Sequence, residues 1–139
     1  MSRLLPSATP EGYEPCPMPD GEFGQSLGPL YWRRDRGGFA FRVEARHRNY
    51  NGNIHGGMLM TLADKVLGLT VVQALDGQPA ATVSLNCDMI SSAHPGDLIE
   101  GVAQVNRVTS SIVFVQGTLR CGERLILSAS GLWKRIRAR

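Results

Sequence analysis

The chain is poor in cysteine, and its cysteines show no paired pattern. Cys16, Cys87 and Cys121 are odd in number, lie far apart and include no CxxC spacing. A disulfide framework or a cysteine-based metal site is therefore not indicated, and the two cysteines in strand-like runs are expected to be small buried side chains. Because a secretory h-region and a long apolar span are also missing, we expect a soluble, cytoplasmic protein.

Several motifs of common enzyme classes are absent as well. The sequence contains no HExxH pair, no P-loop and no GxGxxG turn, and its three histidines, His47, His55 and His94, lack the spacing of metal ligands. Nothing indicates a serine on a strand-to-helix nucleophile elbow. We therefore expect neither a metal ion nor an organic cofactor.

Lysine is scarce, and only two of the 15 basic residues are lysines. The arginines concentrate at Arg33, Arg34 and Arg36 and in residues 134–139, while the net charge is a modest +3. A nucleic-acid partner would require a larger basic surface, ideally with aromatic platforms or a recognisable module. A phosphorylated small molecule suits this balance better, because arginine contacts phosphate in a planar, bidentate way.

The 139 residues suffice for one domain with one core. Residues 1–25 hold five of the eight prolines and no periodic pattern, so we expect an irregular extension followed by a single domain over 26–139. Alternation predicts a strand over 39–46, and helical periodicity predicts a buried helix from His55 to about Leu75. Further strands are predicted over 82–89, 98–108, 111–120 and 124–135. This order predicts an α+β fold, with an antiparallel sheet wrapped around one central helix.

The predicted helix carries one carboxylate, Asp64, on a face that is otherwise apolar. An unpaired carboxylate in such surroundings costs several kcal/mol, so it is either functional or paired, for instance with Lys65. The pattern of the helix alone does not choose between these two possibilities. The sequence Asn49 to Gly57 before the helix favours function, because Gly56 places unpaired backbone N–H groups at the positive end of the helix dipole.

These residues resemble a known family. The run from His47 to Gly57, with its His-Gly-Gly, and the following Thr61-Leu62-Ala63-Asp64 are similar to hotdog-fold acyl-CoA thioesterases. The similarity is greatest to the phenylacetate-degradation (PaaI-like) branch of the 4-hydroxybenzoyl-CoA thioesterase superfamily. It extends from about Phe23 to the last strand, so the proline-rich N-terminal extension has no counterpart.

The resemblance implies a role for each matching residue. Gly56 would present its N–H to the thioester carbonyl, with His55 holding the loop or polarising the same oxygen. Asn49 would position water or the thioester, and Asp64 would act as nucleophile or general base from the opposite subunit. Thr82 would orient water. The residues expected to line the substrate are Gly57, Met58, Val83 and Ser84, although core filling is the more ordinary role of Met58.

The function implied is hydrolysis of an aryl- or medium-chain acyl-CoA to the free acid and CoA, by a homodimer or homotetramer. Two alternatives stay open: a non-catalytic acyl-CoA sensor or carrier, and a hotdog hydratase or dehydratase in which His55 and Asp64 form an acid–base pair. Arg107 and Arg120 are candidate contacts for the CoA phosphates.

Overall fold

A computed structural model describes residues 8–35 and 37–136. Arg36 and the end of the basic tail, residues 137–139, lie outside the described residues. The elements in chain order are β1 (Glu14–Pro15), α1 (Glu22–Ser26), β2 (Tyr31–Trp32), β3 (Phe39–Arg42), α2 (Gly56–Ala74), β4 (Ala80–Met89), β5 (Leu98–Val108), β6 (Ile112–Cys121) and β7 (Arg124–Arg135), with a 3₁₀ turn at Ala45–His47 before α2.

The strands form one antiparallel sheet in the order β1-β2-β3-β5-β6-β7-β4. Helix α2 packs across one face of it, contacting β4, β5, β6 and β7. The predicted α+β fold, a sheet wrapped around one long helix, is therefore confirmed. By length and composition α2 could also cross a membrane, so the expectation of no long apolar span was wrong. Its buried side chains pack against the sheet.

The ends of α2 follow from local chemistry. His55 is the N-cap and accepts a hydrogen bond from the backbone, so the helix begins at the predicted place. At the other end Asp76 and Gly77 both adopt positive φ, and the Gly77 N–H bonds the Val72 carbonyl. These left-handed conformations end the helix and turn the chain into β4, which runs back along α2.

Two segments differ from the predictions. The predicted strand over 39–46 ends at Arg42, because a capping box between Glu44 and His47 turns the chain. The proline-rich segment was predicted to be irregular, yet Glu14–Pro15 pairs with β2 and Glu22–Ser26 forms a short helix. Over its described residues, the segment packs on its own chain.

The proline-rich segment is fixed to the sheet by polar contacts. The Tyr13 hydroxyl donates to Glu100 Oε2 at 2.5 Å, and the Arg33 guanidinium lies 4.4 Å from the centre of the Tyr13 ring. Burial and the Glu100 carboxylate raise the pKa of Tyr13 to about 12. We call residues 13–20 the strap, because they cross over the helix face that the sheet leaves open.

Candidate functional site

The N-terminus of α2 offers one free backbone donor. His55 Nδ1 accepts the Gly57 N–H at 2.8 Å, so the neutral ring carries its proton on Nε2 and the Gly57 amide is occupied. A Cβ on Gly57 would lie 2.9 Å from that ring nitrogen, which explains glycine at this position. Within the described chain no acceptor bonds the Gly56 N–H, so this amide at the dipole-positive helix end is free to bind a substrate oxygen.

Gly56 lies against the far end of β4. A Cβ built on Gly56 would approach Met89 Sδ to 3.1 Å, so the helix start and the end of β4 are in contact. Asn49 is placed in the loop that precedes the helix. Its Oδ1 accepts from the backbone N–H groups of Asn51 and Asn53, at 2.8 and 3.3 Å, which leaves its side-chain NH₂ as the group that could meet a substrate.

His47 fastens this loop to the rest of the fold. Its backbone carbonyl accepts the His55 N–H at 2.8 Å, and its buried ring connects the Glu44 N–H to the Leu27 carbonyl. Because both ring nitrogens are engaged, His47 positions the loop and takes no direct part in chemistry.

Asp64 lies half-buried on the helix face opposite the core. Its Oδ1 accepts a hydrogen bond from the Thr82 hydroxyl at 2.7 Å, which leaves the second carboxylate oxygen available. Lys65, the partner considered from the sequence, instead pairs with Asp20 of the strap at 2.7 Å. In the part of the chain that the structure describes, Asp64 has no ion-pair partner, and the Thr82 hydroxyl is the one side-chain group that donates a hydrogen bond to its carboxylate.

A β-bulge brings Thr82 to Asp64. Simple alternation along β4 would place Val83 on the same face as Leu85, toward α2, and Thr82 on the opposite face, away from α2. The β4–β7 register shifts between Thr82 and Ser84, so Thr82 lies opposite Trp133 on the helix side and Val83 is left unpaired at the strand edge. The sequence pattern missed this bulge, and the family resemblance alone indicated Thr82.

The remaining predicted substrate residues are dispersed. Met58 is 8% exposed and packs in the core, whereas Val83 is 58% exposed at the free edge of β4. Ser84 pairs with Leu132 and lies on the sheet face away from the helix. Within one chain these residues do not gather around Asp64.

A cavity of about 680 Å³ adjoins Asp64. One wall is formed by α2, β4 and β7, and the other by the strap and the chain up to Leu30. Its residues include Cys16, Pro19, Gly68, Leu69, Val72 and Trp133. The strap lacks any periodic signal by which sequence reasoning could have found it. Alternation along β7 does place Trp133 on the helix side, so that residue carried a usable signal.

Other nucleophiles are poorly placed for catalysis. Burial raises the pKa of the Cys16 and Cys87 thiols, so neither is an activated thiolate. The string Gly24-Gln25-Ser26-Leu27-Gly28 matches GxSxG, but Ser26 ends a short helix and donates to the Phe23 carbonyl. It does not lie on a strand-to-helix turn. The described residues also contain no cluster of His, Cys, Asp or Glu that could hold a metal ion.

The arginines near the strap are largely engaged. Arg33 contacts Glu100 at 3.5 Å and Arg34 contacts Glu14 at 3.8 Å, so this part of the first basic cluster is partly neutralised. Arg120 bonds the Glu123 carbonyl at the end of β6. Arg107 lies beside the β5 bulge.

The free amide and the carboxylate are separated within one chain. Gly56 and Asp64 are eight residues apart on α2, a spacing of about 12 Å along the helix axis. One thioester carbonyl cannot contact both groups of the same helix. The Gly56 amide and the Asp64 carboxylate lie at opposite ends of β4, and we refer to these two candidate groups as the half-sites.

Comparison with known proteins identifies the family. The model of the Thioesterase superfamily matches residues 51–127, which is more than half of the chain. The Pseudomonas aeruginosa protein named "Putative esterase PA0474" is 36% identical over 128 residues, covering 89% of this chain and 95% of that protein.

Solved structures give the same fold. A phenylacetic acid degradation-related protein from Ralstonia eutropha JMP134 superposes with a TM-score of 0.74 at 24% identity, covering 84% of this chain and 92% of that one. The BH2602 protein from Bacillus halodurans, solved with CoA, gives 0.70 at 25% identity over 78% and 73% of the two chains. From these matches and the helix-start geometry, the chain belongs to the thioesterase superfamily and is a thioester hydrolase.

Proposed function

We propose that the protein hydrolyses acyl-CoA thioesters with aryl- or medium-chain acyl groups, at a site completed by two subunits. The observation that carries this proposal is the arrangement along β4. Thr82, at its start, holds Asp64, while Met89, at its end, contacts Gly56. A second β4 running antiparallel beside the first would bring the Asp64 of one subunit to the Gly56 of the other.

The edge of β4 supports such pairing. In the described sheet β4 is the last strand and pairs with β7 alone. It is ten residues long, and its side chains Val83 and Met89 are 58% and 48% exposed. A long apolar edge strand is an aggregation hazard unless it is covered, and a two-fold pair covers it with its own copy.

The chemistry follows from the two half-sites. The free Gly56 N–H binds the thioester carbonyl oxygen and stabilises the negative charge that develops there, a contribution of about 3 kcal/mol for a good donor. The unbonded oxygen of Asp64 either attacks the carbonyl carbon or takes a proton from water that attacks it. If water attacks, collapse of the tetrahedral species breaks the C–S bond, the proton taken up by Asp64 passes to the leaving sulfur, and the acid and the CoA thiol are released. If Asp64 attacks, collapse breaks the C–S bond and leaves a mixed anhydride with Asp64, the leaving thiolate takes a proton from water, and hydrolysis of the anhydride by a second water releases the acid and restores the carboxylate. Thr82 fixes the carboxylate throughout.

Placement of the CoA portion relies on the relative that was solved with CoA, which is similar to this chain in fold. We also propose a cytoplasmic location, because all three cysteines are free thiols, which suits a reducing compartment.

Thiol release from a panel of acyl-CoA esters tests the proposal. Asp64→Asn and Asp64→Ala should lose about a hundredfold or more in kcat while still binding substrate. Asp76→Asn is the matched control, because it removes a carboxylate just beyond the C-terminal end of α2, at a positive φ that asparagine accepts. Unchanged thiol release in Asp64→Ala would refute the role of Asp64. Tight binding without any thiol release would favour the sensor, and hydration of an enoyl-CoA would favour the hydratase.

Subunit mixing tests the shared site. Gly56→Pro and Asp64→Ala chains should each be inactive alone. Mixed dimers regain one intact site, so a random mixture should recover roughly a quarter of the wild-type activity. No recovery, with mixed dimers demonstrated by mass, would mean that both groups act within one chain.

A further inference from the structure

The indole of Trp133 directs an unused hydrogen-bond donor at the cavity. Trp133 lines the cavity and is only 2% exposed, yet within the described residues its Nε1–H makes no hydrogen bond. Among the described residues, Arg33 Nε is the one side-chain nitrogen or oxygen that is both fully enclosed and without a hydrogen-bond partner. Because Trp133 Nε1 also has no partner, it is not fully enclosed, and its N–H is in contact with the cavity.

Gly68 leaves this N–H uncovered. A Cβ built on Gly68 would lie 3.3 Å from Trp133 Nε1 and 3.6 Å from its Cζ2. Glycine inside a helix costs about 1 kcal/mol relative to alanine. The glycine at this position therefore keeps open a space directly over the polar edge of the indole.

The other polar side chains on the cavity wall already have partners. Asp20 pairs with Lys65, and Asp64 accepts from Thr82. The remaining two, Arg46 and Gln25, bond Glu44 and the Asp20 carbonyl respectively. Near Trp133 the wall is otherwise apolar, with Leu69, Val72 and Ala80. A single unsatisfied donor in an apolar wall is typical of a group that sets ligand specificity.

The distance between the Trp133 donor and the Asp64 carboxylate follows from the helix geometry. Gly68 follows Asp64 by one helical turn, so the two positions are about 6 Å apart on the same face. If the carbonyl carbon of an acyl group lies at Asp64, the atoms about 6 Å further along the acyl group would lie next to Trp133.

On the basis of the proposed thioesterase function, we infer that Trp133 is a specificity-determining residue that selects acyl groups with an acceptor oxygen. Its Nε1–H donates to a carbonyl or ether oxygen about five bonds from the scissile carbon. A saturated chain in the same place would leave the buried donor without a partner, and that difference creates the selectivity.

Binding of non-hydrolysable thioether analogues of hexanoyl-CoA and 5-oxohexanoyl-CoA tests this inference by calorimetry. Wild type should prefer the oxo analogue by about fivefold, the ratio expected for one neutral hydrogen bond. Trp133→Phe removes the donor, and Gly68→Ala covers it with a methyl group while keeping the indole. Both variants should lose the preference. Leu69→Ala changes the apolar wall and should keep it.

The outcomes separate the inference from the function on which it rests. Equal affinity of wild type for the two analogues, or a preference that survives in Gly68→Ala, would overturn the role of Trp133 even if the esters are hydrolysed. Failure of both analogues to bind would overturn it as well. A fivefold preference that both variants abolish would support it, even if thiol release were absent. Thermal melting of each variant verifies that the fold is intact.

Discussion

The two faces of α2 contrast sharply in what they contact. Toward the sheet, Leu62, Val66 and Leu67 are at most 2% exposed and form the centre of the core. On the opposite face, Asp64 and Gly68 are half-buried beside a cavity that the strap covers. The first face is optimised for packing, while the second holds an acid in apolar surroundings and a glycine that weakens the helix. This contrast predicts that one face determines stability and the other determines activity.

The largest expected effect is on the core face. Leu62→Ala should lower the free energy of unfolding by about 3 kcal/mol, since it removes a fully buried side chain and leaves a cavity. Leu69→Ala, half-buried on the cavity face, should cost about 1 kcal/mol or less. Urea denaturation measures both. Equal losses would show that the cavity face is as structural as the core face.

The next effect concerns the helix start, where a matched pair isolates the Gly56 N–H. Gly56→Pro removes the donor at the first helical position, where proline fits, and the extended φ and ψ of His55 (−64° and 133°) suit a residue before proline. Gly56→Ala keeps the N–H and introduces the same crowding against Met89. We expect kcat to fall by about a hundredfold in the proline variant, with a much smaller loss in the alanine variant. Thiol release measures kcat in both variants. Comparable losses in the two would show that the Gly56 N–H does not contribute to catalysis.

Thr82 should have a smaller effect because it acts through Asp64. Thr82→Val removes the hydroxyl bonded to the carboxylate and should lower kcat by about tenfold, whereas Thr82→Ser should restore most of it. KM should change little, because the hydroxyl already bonds Asp64 in the absence of substrate. A serine variant as impaired as the valine variant would show that the hydroxyl bond to Asp64 does not by itself account for the effect of Thr82.

The sequence predicted well what depends on local order. Periodicity and turn residues gave α2 to within a residue at each end and gave β5 and β7 with their observed bounds. These predictions succeed because helix caps, tight turns and alternation are determined by neighbouring residues. The roles of Gly56 and Asp64 in a catalytic site, which the family resemblance implies, stay predictions.

What the sequence did not predict depends on contacts between distant residues. The bulge at Val83, which turns Thr82 toward the helix, exists only as a mismatch between β4 and β7. The strap is identified only by its contacts in the folded chain. Asp20 bonds Lys65 and Tyr13 bonds Glu100, and these pairs are 45 and 87 residues apart in the sequence. Neither pairing produces a pattern along the chain. The cavity wall that the strap forms was therefore not predictable from the sequence.

The smallest expected effect is a release of the strap at alkaline pH. The folded pKa of Tyr13, about 12, lies above its ordinary value of 10.0, so the neutral phenol is favoured in the folded chain. Its stabilising contribution is complete below about pH 10 and is lost as the pH rises through 12. Phenolate absorbance should show a late step that Tyr13→Phe lacks, and strap residues should gain protease sensitivity in the same range. If the Tyr13→Phe titration matches wild type, Tyr13 does not anchor the strap, and the strap is held by the β1–β2 pairing and the Asp20–Lys65 pair.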